Sequence, residues 1–133
     1  MDSQSRDSVV LRMKILFIDD DRMLLGVVGE MLSGIGHQVE MISDPYEAIL
    51  YSQNKLFDID LIIADIHMPK MSGITVVRKI REMHPDVAAI FLTGNVDIAV
   101  PGTVLRKPCT LAGLEKAIAE VAGGRRQGMV FQA

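Results

Sequence analysis

The chain has 133 residues and a mass of 14.6 kDa, with 49% hydrophobic residues, a formal net charge of −3 and a pI near 5.5. That length fits one domain, large enough to bury roughly two-thirds of its unfolded surface. The acidic balance gives no electrostatic footprint for direct nucleic-acid binding. No apolar run approaches the roughly 18 residues of a membrane-spanning helix, so no membrane association is expected. The polar stretch Met1 to Asp7 lacks the apolar segment of a signal peptide, and the single Cys109 excludes an internal disulfide and fits a reducing cytosol.

In chain order, Lys14 to Ile18 is predicted as a first strand. Arg22 to Ser33 follows as a helix with Met23, Leu24, Val27, Val28, Met31 and Leu32 on one stripe, ended by Gly34 or Gly36. Val39 to Ile42 is a short second strand. Ser43-Asp44-Pro45 with Glu47 opens a helix to about Asn54, a capping residue followed by proline in the first turn. Leu61 to Ala64 is strand three. Ile74 to Met83 turns Ile74, Val77, Ile80 and Met83 toward the sheet, and His84-Pro85 closes that helix. Val87 to Leu92 and Val104 to Arg106 are strands four and five. Thr110 caps a last helix with Leu111, Leu114, Ala117, Ile118 and Val121 inward and Gly123-Gly124 at its end.

Repeated alternation of strand and helix implies a parallel sheet with right-handed crossovers and helices on both faces. The expected α/β fold is flavodoxin-like and doubly wound, with five parallel strands in the order 2-1-3-4-5. The expected organisation is an arm over residues 1–12, a domain over 13–122 and a loose tail over 123–133, with no effector domain at either end.

The polar residues that close the strands carry the chemistry. Asp65 follows the wholly apolar run Leu61-Ile62-Ile63-Ala64 and opens a loop punctuated by Pro69 and Gly73. A strand apolar on both faces belongs inside a parallel sheet, and its carboxyl edge is where open α/β folds place ligands. The first strand ends the same way, in Asp19, Asp20 and Asp21. Clustered carboxylates raise one another's pKa and call for a compensating cation, and hard oxygen ligands without cysteine or histidine partners point to Mg²⁺. Thr93 and Lys107 close the fourth and fifth strands. A plainer reading of 19–21 is a polar strand end that caps the next helix through Asp21. Asp58 and Asp60 read as solvated strand-entry acids, and His37 and His84 as surface residues beside turns.

An acidic pair, a lone Asp, a Thr and a Lys, each closing a strand in this order, resemble the receiver domains of two-component response regulators, over about Met13 to Val121. The resemblance implies that Asp65 accepts a phosphoryl group. It further implies that Asp19, Asp20, Asp65 and the backbone carbonyl of His67 hold Mg²⁺, and that Thr93 and Lys107 grip the phosphoryl oxygens. The partners it implies are a sensor histidine kinase or a histidine phosphotransfer protein, and a downstream protein that the sequence does not identify. A carboxylate nucleophile needs charge neutralised on the transferring oxygens, which a metal ion and an ammonium supply.

Two departures accompany the resemblance. Thr93 and Lys107 stand only 14 positions apart, leaving Gly94 to Thr103 to make the crossover. About ten residues is near the minimum for that connection, so the fourth helix of a normal receiver is expected to be shortened or missing. Val104 and Cys109 stand where receivers usually carry aromatic residues, so the usual aromatic readout is absent. Two other classes stay open. One is a degenerate receiver acting as an unphosphorylated interaction module. The other is a phosphatase of the haloacid dehalogenase type, although Asp19-Asp20-Asp21-Arg22-Met23 ends in Met where that signature has Thr or Val.

Overall fold

A computed structural model describes residues 12–94, 99–100 and 102–132 of the chain. The elements are β1 (Lys14–Ile18), α1 (Arg22–Gly34), β2 (Gln38–Ile42), α2 (Pro45–Ser52), β3 (Leu61–Asp65), α3 (Gly73–Met83), β4 (Ala88–Thr93), β5 (Thr103–Arg106) and α4 (Leu111–Gln132). All five strands are parallel, in the order β2-β1-β3-β4-β5. This is the doubly wound fold read from the sequence. Among the described residues no helix lies between β4 and β5, as the short crossover implied. The expected arm lies outside the described residues except for Arg12. No helix among the described residues is long and apolar enough to cross a membrane.

Strand position explains strand composition. From Ile15 to Ile18, and through all of β3 and β4, every residue is buried, because these strands are covered on both faces. The edge strands β2 and β5 are only partly buried. Alternation along the strands then divides the core in two. Ile15, Phe17, Leu61, Ile63, Ile90 and Leu92 pack with Leu25, Val28 and Leu32 of α1 and with Leu114, Ala117 and Ile118 of α4. Leu16, Ile18, Ile62, Ala64, Ala89 and Phe91 pack with Ala48 of α2 and with Val76, Val77 and Ile80 of α3. Burying each large aliphatic or aromatic side chain stabilises by about 1.5–3 kcal/mol, so these two layers dominate the folding free energy.

The helices depart from the sequence reading in four places. The buried stripe of α1 is Leu25, Val28, Gly29 and Leu32, with Leu24 and Met31 on its flanks. Met23 and Val27, expected inward, are 82% and 51% exposed, since helical periodicity puts them nearly opposite that stripe. In α3, Val76 takes the buried place expected of Met83, which lies at the helix end and is exposed. In α4, Leu111 is exposed and Ala122 buried. Gly123-Gly124 does not end α4, which continues to Gln132. Glycine stops a helix when it adopts a left-handed conformation, as Gly36 does after α1 at φ 105°, and inside a helix it costs only about 1 kcal/mol.

Capping follows the sequence more closely. Asp21 accepts from the backbone N–H groups of Met23 and Leu24, both at 3.1 Å. Asp44 accepts from Tyr46 N at 3.1 Å, and Thr110 Oγ1 from Gly113 N at 3.0 Å.

Two histidines are not the surface residues expected. His84 stacks on Phe57 with ring centroids 4.2 Å apart, and its Nε2 lies 2.8 Å from the Ser52 carbonyl. His37 is buried, and its Nδ1 accepts from Met13 N at 3.0 Å at the entrance to β1. Burial holds the His37 pKa below the ordinary value of about 6.5. The folded state therefore favours the neutral ring. Its contribution is complete above the unfolded pKa and is lost as pH falls through the lower folded one. Melting temperature should drop between pH 7.5 and 5.5, and less so in His37→Asn, whose amide oxygen can accept from Met13 N without titrating. Equal pH slopes in the two proteins would contradict this role.

Candidate functional site

Strand register sets the site before any side chain is considered. Ile18 pairs with Ala64, so Asp19 and Asp65, one residue further on, reach the carboxyl edge side by side. Asp65 pairs with Leu92 and Thr93 with Arg106, which brings the ends of β4 and β5 to the same edge. Asp19 continues the alternation of Ile15 and Phe17, and Asp65 that of Leu61 and Ile63, so both acids lean toward the α1 and α4 side.

The acids converge. One carboxylate oxygen each from Asp19, Asp20 and Asp65 lie within 4.8 Å of one another. Asp19 is fully buried, Asp65 is 4% exposed and Asp20 is open to solvent. Asp19 Oδ1 accepts from Asp21 N at 3.0 Å, and Asp65 Oδ1 from His67 N at 3.2 Å. The Lys107 ammonium reaches both buried acids, 3.0 Å from Asp19 Oδ2 and 3.3 Å from Asp65 Oδ1. Its approach to Asp19 Oδ2 is an ion contact rather than a directed hydrogen bond, and that oxygen receives none.

Electrostatics follow from this geometry. Burial raises the Asp65 pKa above the ordinary carboxylate value, and the Asp19 charge raises it further. Lys107 and the His67 N–H work in the opposite direction without cancelling the rise. Burial works against the Lys107 charge, but Asp19 and then Asp65 outweigh it, so the ammonium is held above its ordinary pKa. A cluster of three carboxylates with one ammonium retains excess negative charge, which favours a cation.

Mg²⁺ fits these residues. The donors are hard oxygens, they are close together, and Asp19 Oδ2 is a buried oxygen without a hydrogen-bond donor. Asp19, Asp20 and Asp65 would hold the ion, beside the loop whose His67 N–H donates to Asp65.

Each residue expected at the site lies at this edge. Thr93 is buried at the end of β4, and its carbonyl accepts from Lys107 N at 2.8 Å, which ties the last two site residues together through the backbone. The His67 side chain is exposed, leaving its backbone as the part that faces Asp65. Val104 is 41% exposed on the edge strand, away from the role an aromatic there would play. Cys109 is half-buried, and burial pushes its thiol pKa up, away from reactivity.

Gly73 does not stand out in the sequence as a site residue, yet it shapes the site. It opens α3 after the Ser72 cap, whose Oγ accepts from Ile74 N at 3.1 Å. A Cβ on Gly73 would stand 2.1 Å from the Asp65 carbonyl oxygen and 2.8 Å from its carbon. Only glycine lets α3 begin this close to the strand that delivers Asp65. The pair Ser72-Gly73 at a helix start was the one available signal.

Residues 15–119 match the family described as response regulator receiver domain. The chain is 34% identical over 79 residues to the gliding motility regulatory protein of Myxococcus xanthus, covering 59% of this chain and 10% of that protein. It is 28% identical over 115 residues to the sensor kinase CckA of Brucella abortus, covering 80% of this chain and 12% of the kinase. The chain thus spans about a tenth of the length of these two curated relatives. A crystal structure of a response regulator receiver domain protein from Clostridium thermocellum superimposes with a TM-score of 0.77 at 32% identity, covering 86% of this chain and 98% of that one. The chain belongs to the response regulator receiver domain family of two-component systems.

The close approach at Gly73 can be tested without any ligand. Gly73→Ala must push α3 and the backbone of Asp65 apart, which should destabilise the fold by about 1–3 kcal/mol in urea unfolding. An unchanged midpoint would mean that the contact relaxes freely and does not fix Asp65.

Proposed function

We propose that the chain accepts a phosphoryl group on Asp65 from a phosphohistidine donor, a sensor histidine kinase or a histidine phosphotransfer protein, in a Mg²⁺-dependent reaction, and signals by protein contact. The observation that carries this reading is the Lys107 ammonium set between the two buried acids Asp19 and Asp65 at the carboxyl edge of the sheet. The receiver unit is proposed to span about residues 13–122, with flanking segments outside it. Family membership supports phosphoryl acceptance as a general role, and the kinship to a sensor kinase supports a histidine donor.

In this reading an ionised Asp65 oxygen attacks the phosphorus. The new O–P bond forms as the donor N–P bond breaks, and the donor nitrogen keeps the electron pair. Lys107, already beside Asp65, follows the incoming charge onto one phosphoryl oxygen. The Thr93 hydroxyl at the end of β4 takes another. Asp19 and Asp20 would hold the Mg²⁺, which when bound would neutralise charge on the transferring oxygens. Burial of Asp65 keeps bulk water from the acyl phosphate.

The unphosphorylated interaction module would leave this cluster of like charges without a use, so the geometry favours the catalytic reading. Intact-mass measurement after treatment with acetyl phosphate and Mg²⁺ should show a single phosphoryl adduct in the wild type and none in Asp65→Asn. Equal adducts in both proteins would place the acceptor elsewhere. Lys107→Met should form the adduct at least about tenfold more slowly, because an ammonium that meets developing charge contributes more than about 1.4 kcal/mol.

A further inference from the structure

Beside the carboxylate cluster lies a notch of about 320 Å³, of whose lining the proposed reaction uses Asp20 alone. Asp20 and Arg22 line it from the start of α1, Asp44 and Glu47 from the start of α2, and Pro69 and Lys70 from the β3–α3 loop. One contact joins two of these walls. Lys70 Nζ lies 3.4 Å from Asp44 Oδ2, while Asp44 Oδ1 caps α2 by accepting from Tyr46 N at 3.1 Å. Asp44 thus serves a helix with one oxygen and a loop with the other.

The loop that Lys70 tethers is the one that follows Asp65 and carries His67. It is anchored on each side of Lys70 by Met68, buried, and Met71, packed against the α2/α3 layer. Between these anchors Pro69 and Lys70 are exposed, as is His67 just before them, so packing alone does not hold their backbone. The Lys70–Asp44 pair supplies a tether from a fixed point, the capped end of a helix.

We infer that Lys70 and Asp44 are positioning residues for Mg²⁺. Their bridge holds the β3–α3 loop so that the His67 backbone, whose N–H donates to Asp65 Oδ1 at 3.2 Å, stays in place beside the ion bound by Asp19, Asp20 and Asp65. This rests on the proposed metal site and extends it to two residues that do not touch the ion. The effect has a diagnostic sign. Deleting a nearby positive charge should by Coulomb's law alone tighten binding of a divalent cation, whereas loss of a positioning tether weakens it.

Calorimetric Mg²⁺ titration of the wild type, Lys70→Met, Lys70→Arg, Asp44→Asn and the double variant Lys70→Met/Asp44→Asn tests this. Asparagine keeps the cap, so Asp44→Asn removes the bridge with little loss of helix stability. Lys70→Met should weaken Mg²⁺ binding about two- to fivefold, the most a bridge this exposed can contribute. Lys70→Arg should restore the wild-type affinity. The double variant should bind no more weakly than Asp44→Asn, because both changes remove one interaction. Urea midpoints of Lys70→Met and wild type should agree, which separates positioning from general stability. Wild-type or tighter binding by Lys70→Met, while Asp19→Asn loses the ion, would overturn the positioning role alone. Undiminished binding by Asp19→Asn, or no binding by the wild type, would overturn the metal site and the positioning role with it.

Discussion

Lys107 offsets the repulsion between charges that the fold forces together. Two acids that follow paired, fully buried positions of β1 and β3 arrive side by side with no freedom to separate, because strand register and not side-chain choice places them there. Their repulsion is the cost of bringing two buried carboxylates to one edge. A single ammonium within 3.3 Å of both offsets part of it. The remaining negative charge favours a cation at this edge.

The sheet makes that arrangement durable. Three central strands buried on both faces are flanked by two nearly equal hydrophobic layers, so the edge that carries Asp19, Asp65 and Thr93 cannot flex without disturbing both. Room to adjust is left to the loops beyond the strand ends. The loop after β3 leaves its backbone free to serve as ligand, and it is held by Gly73 at one end and by the Lys70–Asp44 pair in its middle. The crossover from β4 to β5 contains no helix among the described residues, and Val100 there packs onto the α2/α3 layer.

Much of this was legible in the sequence, for a definite reason. Strands covered on both faces must be continuous apolar runs, so the first polar residue after each run marks the edge where ligands bind; Asp19, Asp65 and Thr93 stand out on that rule alone. Helix faces were harder. In α1 the apolar residues fall on more than one face, so periodicity did not separate Leu25 from Met23 and Val27, and only packing against the sheet did. Gly123-Gly124 misled because a glycine pair resembles a stop signal, whereas termination depends on the conformation that the chain adopts there. Nothing local pairs Lys70 with Asp44, which are 26 positions apart, or warns that His37 is buried against the Met13 amide. The first contact exists only after the β2–α2 and β3–α3 loops meet at the carboxyl edge, and the second only after the turn before β2 meets the entrance to β1.

Thermal unfolding measures directly the balance between carboxylate repulsion at this edge and a compensating cation. Asp20 is the exposed member of the trio, so replacing it removes charge without opening the core. Asp20→Asn should melt above the wild type in metal-free buffer and show no further rise when millimolar Mg²⁺ is added, while the wild type should rise with Mg²⁺ as any protein with a native-state ligand does. A lower melting temperature for metal-free Asp20→Asn, together with an undiminished response to Mg²⁺, would contradict the account.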